Sequence, residues 1–352
     1  MSFFENFLHK KKSGESVVVI DIGAESVAGA YVRYENTESP AILYTRRLPI
    51  EVRPDEPRER AMLRALTVLG NDLIREGVPA LARTTGSGSA DTILVSIDAP
   101  WQETKVRKEH FESADPFIFT KALVDKKLAE TSGEPGEKMI VDESIIGTIL
   151  NGYETRNPYG NSVRRASVIV MTSFIEREVA DNIISTLRGL YHTKEILPIA
   201  GSSLRYQAIH EAFPHEHDSI ILDATGGALL AISLVRRGTF VSLDQIEIPS
   251  DKEVWAKAVA SELTKIAERY PLPRTIFLLA REPEIDSFKG VLDTANFGPL
   301  WLSDNPPKIV SVLRSSLGVS IRQLSTNPPD IVLLLMALYF QNRHRTPAKE
   351  AS

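Results

Sequence analysis

Cysteine is absent from the 352 residues, which excludes disulfides and thiolate metal centres and fits a reducing cytoplasm. Long apolar runs are missing too. The longest, residues 331–340, is half of what a membrane-spanning helix needs, so the chain is expected not to cross a bilayer. There is no excess of positive charge: 41 Lys and Arg stand against 46 Asp and Glu, a net charge of −5. That balance excludes nucleic acid as a main partner, because neutralising phosphates needs a basic face. A signal peptide is not expected, since the first apolar residues are few and precede lysines. What is present, 43% hydrophobic and 25% charged residues, is the composition of a soluble globular chain with room for two or three subdomains.

The most informative stretch is residues 218–243. An apolar run ends at Asp223, passes through Thr225-Gly226-Gly227, resumes over residues 229–235, turns at Arg236-Arg237-Gly238 and returns. This spacing predicts a β-hairpin with a glycine turn at its carboxylate end. Such a turn lets backbone N–H groups approach an anion, while the carboxylate can hold hydrated Mg²⁺. The alternative is an ordinary tight hairpin, with the aspartate capping the turn. Residues 16–34 repeat the pattern, an apolar strand ending in Asp21-Ile22-Gly23, a short turn and a returning strand. Two such hairpins are an internal echo, in which Asp21 and Asp223 would face each other across a cleft between two lobes.

Along the chain, residues 1–12 combine Phe3, Phe4, Phe7 and Leu8 with Lys10-Lys11-Lys12. They read either as an amphipathic anchor for an anionic membrane or a partner, or as a frayed tail. Residues 41–48 predict a third strand, 57–76 a helix with the stripe Met62, Leu66, Leu69 and Leu73, and 92–97 another strand. Together these open a ribonuclease-H-like lobe. The pattern changes over residues 98–165, the expected inserted domain, with a helix over 116–129 and strands over 138–142, 145–153 and 164–171. Ser173 and Glu176 have the spacing of a capping box for a helix with the stripe Val179, Ile183, Leu187 and Leu190. Residues 194–203 then suggest a hinge. The expected division is a tail (1–15), the first lobe (16–97), the insertion (98–165), the completion of the first lobe with the hinge (166–212), the second lobe (213–342) and a disordered tail (343–352). His215 and His217 alternate without a third ligand nearby and read as a solvated loop, and Trp101 reads either as an exposed anchor on the insertion or, by default, as a partly buried packing residue.

Four segments in this order resemble the actin-like ATPase-fold proteins of bacterial cell division and pilus assembly, FtsA and PilM. Residues 21–30, D-I-G-A-E-S-V-A-G-A, are similar to their first phosphate motif, and 222–228, L-D-A-T-G-G-A, to their second. Residues 151–160 resemble the end of their small inserted domain, and 197–203 their connecting segment. The resemblance implies an α/β, two-lobe actin-like fold with a nucleotide cleft. ATP would lie on Asp21, Gly23, Asp223, Thr225, Gly226 and Gly227, with Mg²⁺ organised by Asp21 and Asp223. It also implies a cytoplasmic scaffold at the inner membrane, docking either a pilus inner-membrane subunit or the tubulin-like division protein. Homo-oligomers and peripheral membrane contact are further expectations of the family.

Three departures bear on the cleft. Ala24, Glu25 and Ala28 replace hydroxyls and a lysine of the first motif, and Glu25 would repel phosphate unless a cation intervenes. After the strand over 275–279 comes Ala280-Arg281-Glu282 where the family has the clustered glycines of its adenosine motif. Only one helix, 251–270, capped by Ser250 with Val254, Ala258 and Ile266 inward, fills the space of a covering subdomain, which leaves the second lobe reduced. Two functions are therefore carried forward: a scaffold with a degenerate nucleotide site, and an ATPase whose nucleotide state controls polymerisation. Sugar and acetate kinases share the fold, but no substrate base is recognisable.

Overall fold

The computed structural model describes residues 14–344 apart from 36–37, 132–135, 156, 194, 228, 249–251, 296, 302–306 and 319. The amphipathic segment 1–12 and Ser250 lie outside the described residues.

Apolar runs buried on both faces build the first lobe. β1 (Gly14–Ile22), β2 (Ser26–Glu35) and β3 (Ala41–Pro49) form an antiparallel meander, with Asp21 opposite Ala28 in the β1–β2 register. α1 (Arg58–Asp72) runs through a π turn, Leu73–Gly77, into α2 (Val78–Thr85), and β4 (Thr92–Ile97) then joins β1 in parallel. The expected stripe of Met62, Leu66, Leu69 and Leu73 is fully buried against Val18, Ile20 and Ile22.

The insertion is a four-stranded antiparallel sheet of β5 (Gln102–Ile118), β6 (Lys138–Leu150), β7 (Tyr153–Glu154) and β8 (Ser162–Glu176), in the order β5-β8-β6-β7, with α3 (Lys121–Thr131) on one face. Several expectations are corrected here. Residues 116–118 extend β5 through a register shift, so the helix starts at Lys121. The strands expected over 138–142 and 145–153 are one bulged strand up to Leu150. β8 runs on to Glu176, past the boundary drawn at residue 165. Ser173 is therefore a buried strand residue bonded to Thr104 at 2.9 Å, and Glu176 rather than Ser173 precedes α4 (Arg177–Leu190). The capping-box spacing arose by chance on a strand end.

β9 (Glu195–Ala200) completes the first sheet beside β4, and α5 (Gly201–Ala212) leads to the second lobe. There β10 (Ser219–Asp223), β11 (Leu229–Arg236) and β12 (Thr239–Glu247) repeat the hairpin and meander. α6 (Lys252–Ala267), β13 (Thr275–Leu279), α7 (Glu282–Thr294) and β14 (Lys308–Ser311) give the sheet order β12-β11-β10-β13-β14. The inward face of α6 carries Trp255, Val259, Leu263 and Ile266, whereas Val254 is half exposed and Ala258 only partly buried. The expected stripe was out of phase by one residue at its start. Trp255, the largest apolar side chain of the helix, sets the phase.

The chain then returns. α8 (Arg314–Leu317) precedes β15 (Arg322–Gln323), which pairs with β3 of the first sheet, and α9 (Ile331–His344) packs against α5 between the two sheets. The second lobe therefore does not extend to residue 342, and Arg343 belongs to α9 rather than to a disordered tail. All ten residues 331–340 are buried, as a helix apolar on every side must be. Val17 and Val19 of β1, Ile221 of β10 and Phe277 and Leu279 of β13 turn towards this central layer. Their neighbours Ile20, Ile220 and Leu222 turn outwards to separate cores. By the same alternation Asp21 and Asp223 point towards the space between the lobes.

Candidate functional site

Three apolar strands, β1, β4 and β10, end in aspartates that converge between the lobes: Asp21, Asp98 and Asp223, all at most 5% exposed. Asp98 starts the turn after β4 and carries Trp101, whose Nε1 donates to Gly23 O at 2.9 Å. Trp101 is thus a packing residue of the first lobe, holding the first glycine turn from below.

The carboxylates are not free. Arg205 of α5, itself 3% exposed, donates Nε to Asp223 Oδ2 and forks onto Asp98, with Nη1 to Oδ2 at 3.1 Å and Nη2 to Oδ1 at 2.7 Å. The other oxygen of Asp223 accepts from the Thr225 backbone N–H at 2.9 Å and the Thr225 hydroxyl at 2.5 Å. Arg47 of β3 bridges Asp21 Oδ2 at 3.0 Å, the Ser26 hydroxyl at 2.7 Å and Asp330 at 2.6 Å. Asp21 Oδ1 is buried with no hydrogen-bond partner among the described residues.

The two glycine turns touch. Ala24 N donates to Gly226 O at 3.1 Å, so a first-motif amide that would face phosphate is spent on the second motif's carbonyl. Gly227, at φ +90°, keeps the turn tight where a β-carbon would be strained. The expected repulsion by Glu25 is answered by Arg281, 3.3 Å away and standing where the adenosine-motif glycines were missed. The cavity among Asp98, Ser202, Arg205, Asp223 and Gly226 has a volume of about 20 Å³. A single water needs about 10–15 Å³.

Burial pushes the Asp21 carboxyl up to about 6, against the pull of Arg47, and Asp98 adds to the rise. Burial also raises Asp98, again against Arg205. Arg205 itself is lowered by burial but raised further by Asp223 and Asp98, so it stays charged. Because the folded state binds the Asp21 proton more tightly than the unfolded chain, that proton's stabilisation is complete below pH 4 and is lost as pH rises through about 6. Ionised Asp21 therefore costs on the order of 3 kcal/mol at pH 7.5. Asp21→Asn is expected to raise stability by that order at pH 7.5 and to leave it unchanged near pH 4. Denaturant melts of both proteins across this range check the difference, and a variant less stable at pH 7.5 would refute it.

The structure brings Asp21, Gly23, Asp223, Thr225, Gly226 and Gly227 together in one locus, alongside Asp98, Arg205, Arg47 and Asp330, which the sequence reading missed. Asp98 had a readable signal, since Ile97-Asp98 repeats the strand-end pattern of Ile20-Asp21 and Leu222-Asp223. Arg205 and Arg47 had none beyond a charge inside an otherwise inward face. His215 and His217 lie exposed in the loop after α5, and no cluster of three metal-capable side chains occurs among the described residues.

No known family profile matches the sequence, and no curated protein matches it. Solved structures do. The PilM–PilN type IV pilus biogenesis complex superposes with a TM-score of 0.59 at 12% identity, covering 92% of this chain and 98% of that one. A Bacteroides thetaiotaomicron protein with an actin-like ATPase fold gives 0.44 at 9% identity over 86% of this chain and 92% of its own. The cytoplasmic domain of EpsL, an inner-membrane component of the Vibrio cholerae type II secretion system, gives 0.40 at 6% over 93% and 95%. The chain thus has an actin-like ATPase fold, two ribonuclease-H-like lobes with an inserted α+β sheet, in the form seen in PilM.

Proposed function

We propose that this chain is a PilM-like docking scaffold of a membrane-anchored pilus machine whose nucleotide cleft no longer takes Mg-ATP. The observation that carries the second half is the contact between the two phosphate turns, Ala24 N to Gly226 O, together with arginines on the carboxylates that would hold the metal. A triphosphate would need those amides and that space, and the pocket between Asp98 and Asp223 has room for about one water. Asp21, Gly23, Asp223, Thr225, Gly226 and Gly227 are in this reading the remains of a site, now used to join the lobes.

The docking half rests on the fold shared with PilM, which is solved in complex with PilN, and on the insertion. Recognition is commonly carried by parts that a rigid core does not need for its own folding. β6 is paired with β8 along its length, and among the described residues β7 pairs on its other side with Ile149 and Leu150 alone, while β9 and β12 pack near β6 without strand pairing. Beside this unpaired stretch runs a groove of about 460 Å³ between β6, Tyr159, Tyr206 and Gly238. Its shape and its exposed Ile145 and Tyr159 suit an extended segment of a partner, such as the cytoplasmic end of an inner-membrane pilus protein. The chain would then act in the cytoplasm, at the membrane through that partner.

Mg-ATP at millimolar concentration is expected to leave the melting temperature unchanged. A site of micromolar affinity would stabilise the protein by about 4 kcal/mol at that concentration, a shift no melt would miss. A clear shift that Asp223→Ala removes would establish a working ATPase cleft and overturn the proposal.

A further inference from the structure

The arrangement between the lobes does more than exclude a metal. Asp98 belongs to the first lobe, Asp223 to the second, and Arg205 lies on the helix that connects them. Its planar guanidinium engages both oxygens of one carboxylate and one of the other, a geometry that fixes direction as well as distance. The site is built around that fork. A β-carbon at Gly201 would lie 2.7 Å from Arg205 Nη1 and in collision with Asp98 Oδ1, so only glycine lets the helix start so close to the pair. The remaining oxygen of Asp223 is tied down by Thr225, so the turn that touches Ala24 is held by the same carboxylate.

We propose that Arg205 is a covalently supplied cation that holds the two lobes closed, so that this chain rests permanently in one lobe arrangement without any ligand. A bound ligand shifts an equilibrium between conformers only by its differential affinity, and only while it is bound. A side-chain cation with three hydrogen bonds across the interface biases that equilibrium at all times. The consequence bears on docking. The groove is lined by β6 of the insertion, by Tyr206 and Gln207 next to Arg205, and by Gly238 of the second lobe. Its width is therefore set by the same closure, and it stands formed before a partner arrives. This inference rests on the reading that the cleft does not take Mg-nucleotide.

Hydrogen exchange followed by mass spectrometry on the full chain tests it. Arg205→Lys keeps the buried charge but cannot bridge both carboxylates, and Arg205→Met removes the charge with similar volume. In the unaltered protein, peptides covering Ala24 and Thr225–Gly227 should exchange as slowly as those of β8. In Arg205→Lys they should exchange at least tenfold faster, while β8 is unchanged; Arg205→Met, if it folds, should do so more strongly. Unchanged protection of both turns in Arg205→Lys would overturn the lock, as would fast exchange of these turns in the unaltered chain. Mg-ATP slowing that exchange in the unaltered protein would instead refute the nucleotide reading, which separates the two failures.

Discussion

Leu335→Ala, in the middle of α9, is expected to lower the stability of the chain by about 3–5 kcal/mol. Leu335 is fully buried, and the helix around it is enclosed on every side by α5 and by residues from both large sheets. Neither sheet can close over the gap without leaving the other, so the cavity stays open and the cost falls in the upper part of the range for such truncations. The loss should also be shared. Both lobes line this layer, and their unfolding transitions should move down together in denaturant, seen by probes in either lobe. A loss under about 1 kcal/mol, or a shift confined to one lobe, would mean that α9 is not the common core described here. Tyr34, whose hydroxyl donates to Ala337 O at 3.0 Å, offers a milder second probe of the same layer.

The other large effect is on binding. Under the proposed docking, Tyr159→Ala combined with Ile145→Asp is expected to weaken binding of peptides from the cytoplasmic segments of pilus inner-membrane proteins at least thirtyfold, about 2 kcal/mol. Tyr159 is 45% exposed yet stacks on Phe119 at 5.9 Å, so it presents a large ring already fixed in place. Ile145 is 37% exposed on the open side of the groove. Anchors of this type lose little side-chain freedom when a partner covers them, which is why few residues carry most of an interface. Val254→Asp, on the outward side of α6, serves as the control and should bind as the unaltered chain does. Equal affinity for all three proteins, at unchanged melting temperature, would remove the groove from consideration.

How much of this was legible in the sequence follows physical lines. Strands made of continuous apolar runs and helices with a clear stripe were readable: β1, β2, β10, β11, α1 and the enclosed helix at 331–340 lie where the apolar pattern puts them. The glycine turns were readable as breaks after apolar runs, and at Gly227 the backbone itself favours glycine. The failures share a cause. Ser173 looked like a cap because cap chemistry is local, while its true surroundings, Thr104 across a sheet, are set by a strand pairing distant in sequence. β15 was invisible because two residues carry no period, and its pairing with β3 spans almost the whole chain. In the cleft, the aspartates were visible as ends of apolar runs. The arginines that neutralise them were not, since a buried ion pair is a property of two distant positions and neither announces the other. The departures noted at Glu25 and at Ala280-Arg281-Glu282 proved to be one feature, for Glu25 and Arg281 pair across the lobes.

The outer strand of the insertion bears on the direction of the proposed docking. β5 is the longest strand described, 17 residues, and it stands at the edge of its sheet. An edge of that length is a template for any passing strand, whether from a partner, from another copy of the chain or from an unfolded neighbour. Its residues guard against this: Glu103, Lys105, Lys108, His110, Glu112 and Asp115 are exposed along it, and Pro116 withholds an amide at the register shift. Any strand pairing there would have to desolvate charges of both signs in one register or another. Of the two flanks of the insertion, β5 thus resists strand pairing, and under the proposed docking the other, along β6, accepts it. In a crowded assembly built of many extended segments, that asymmetry would let the chain accept a single strand on one side without seeding a growing sheet on the other.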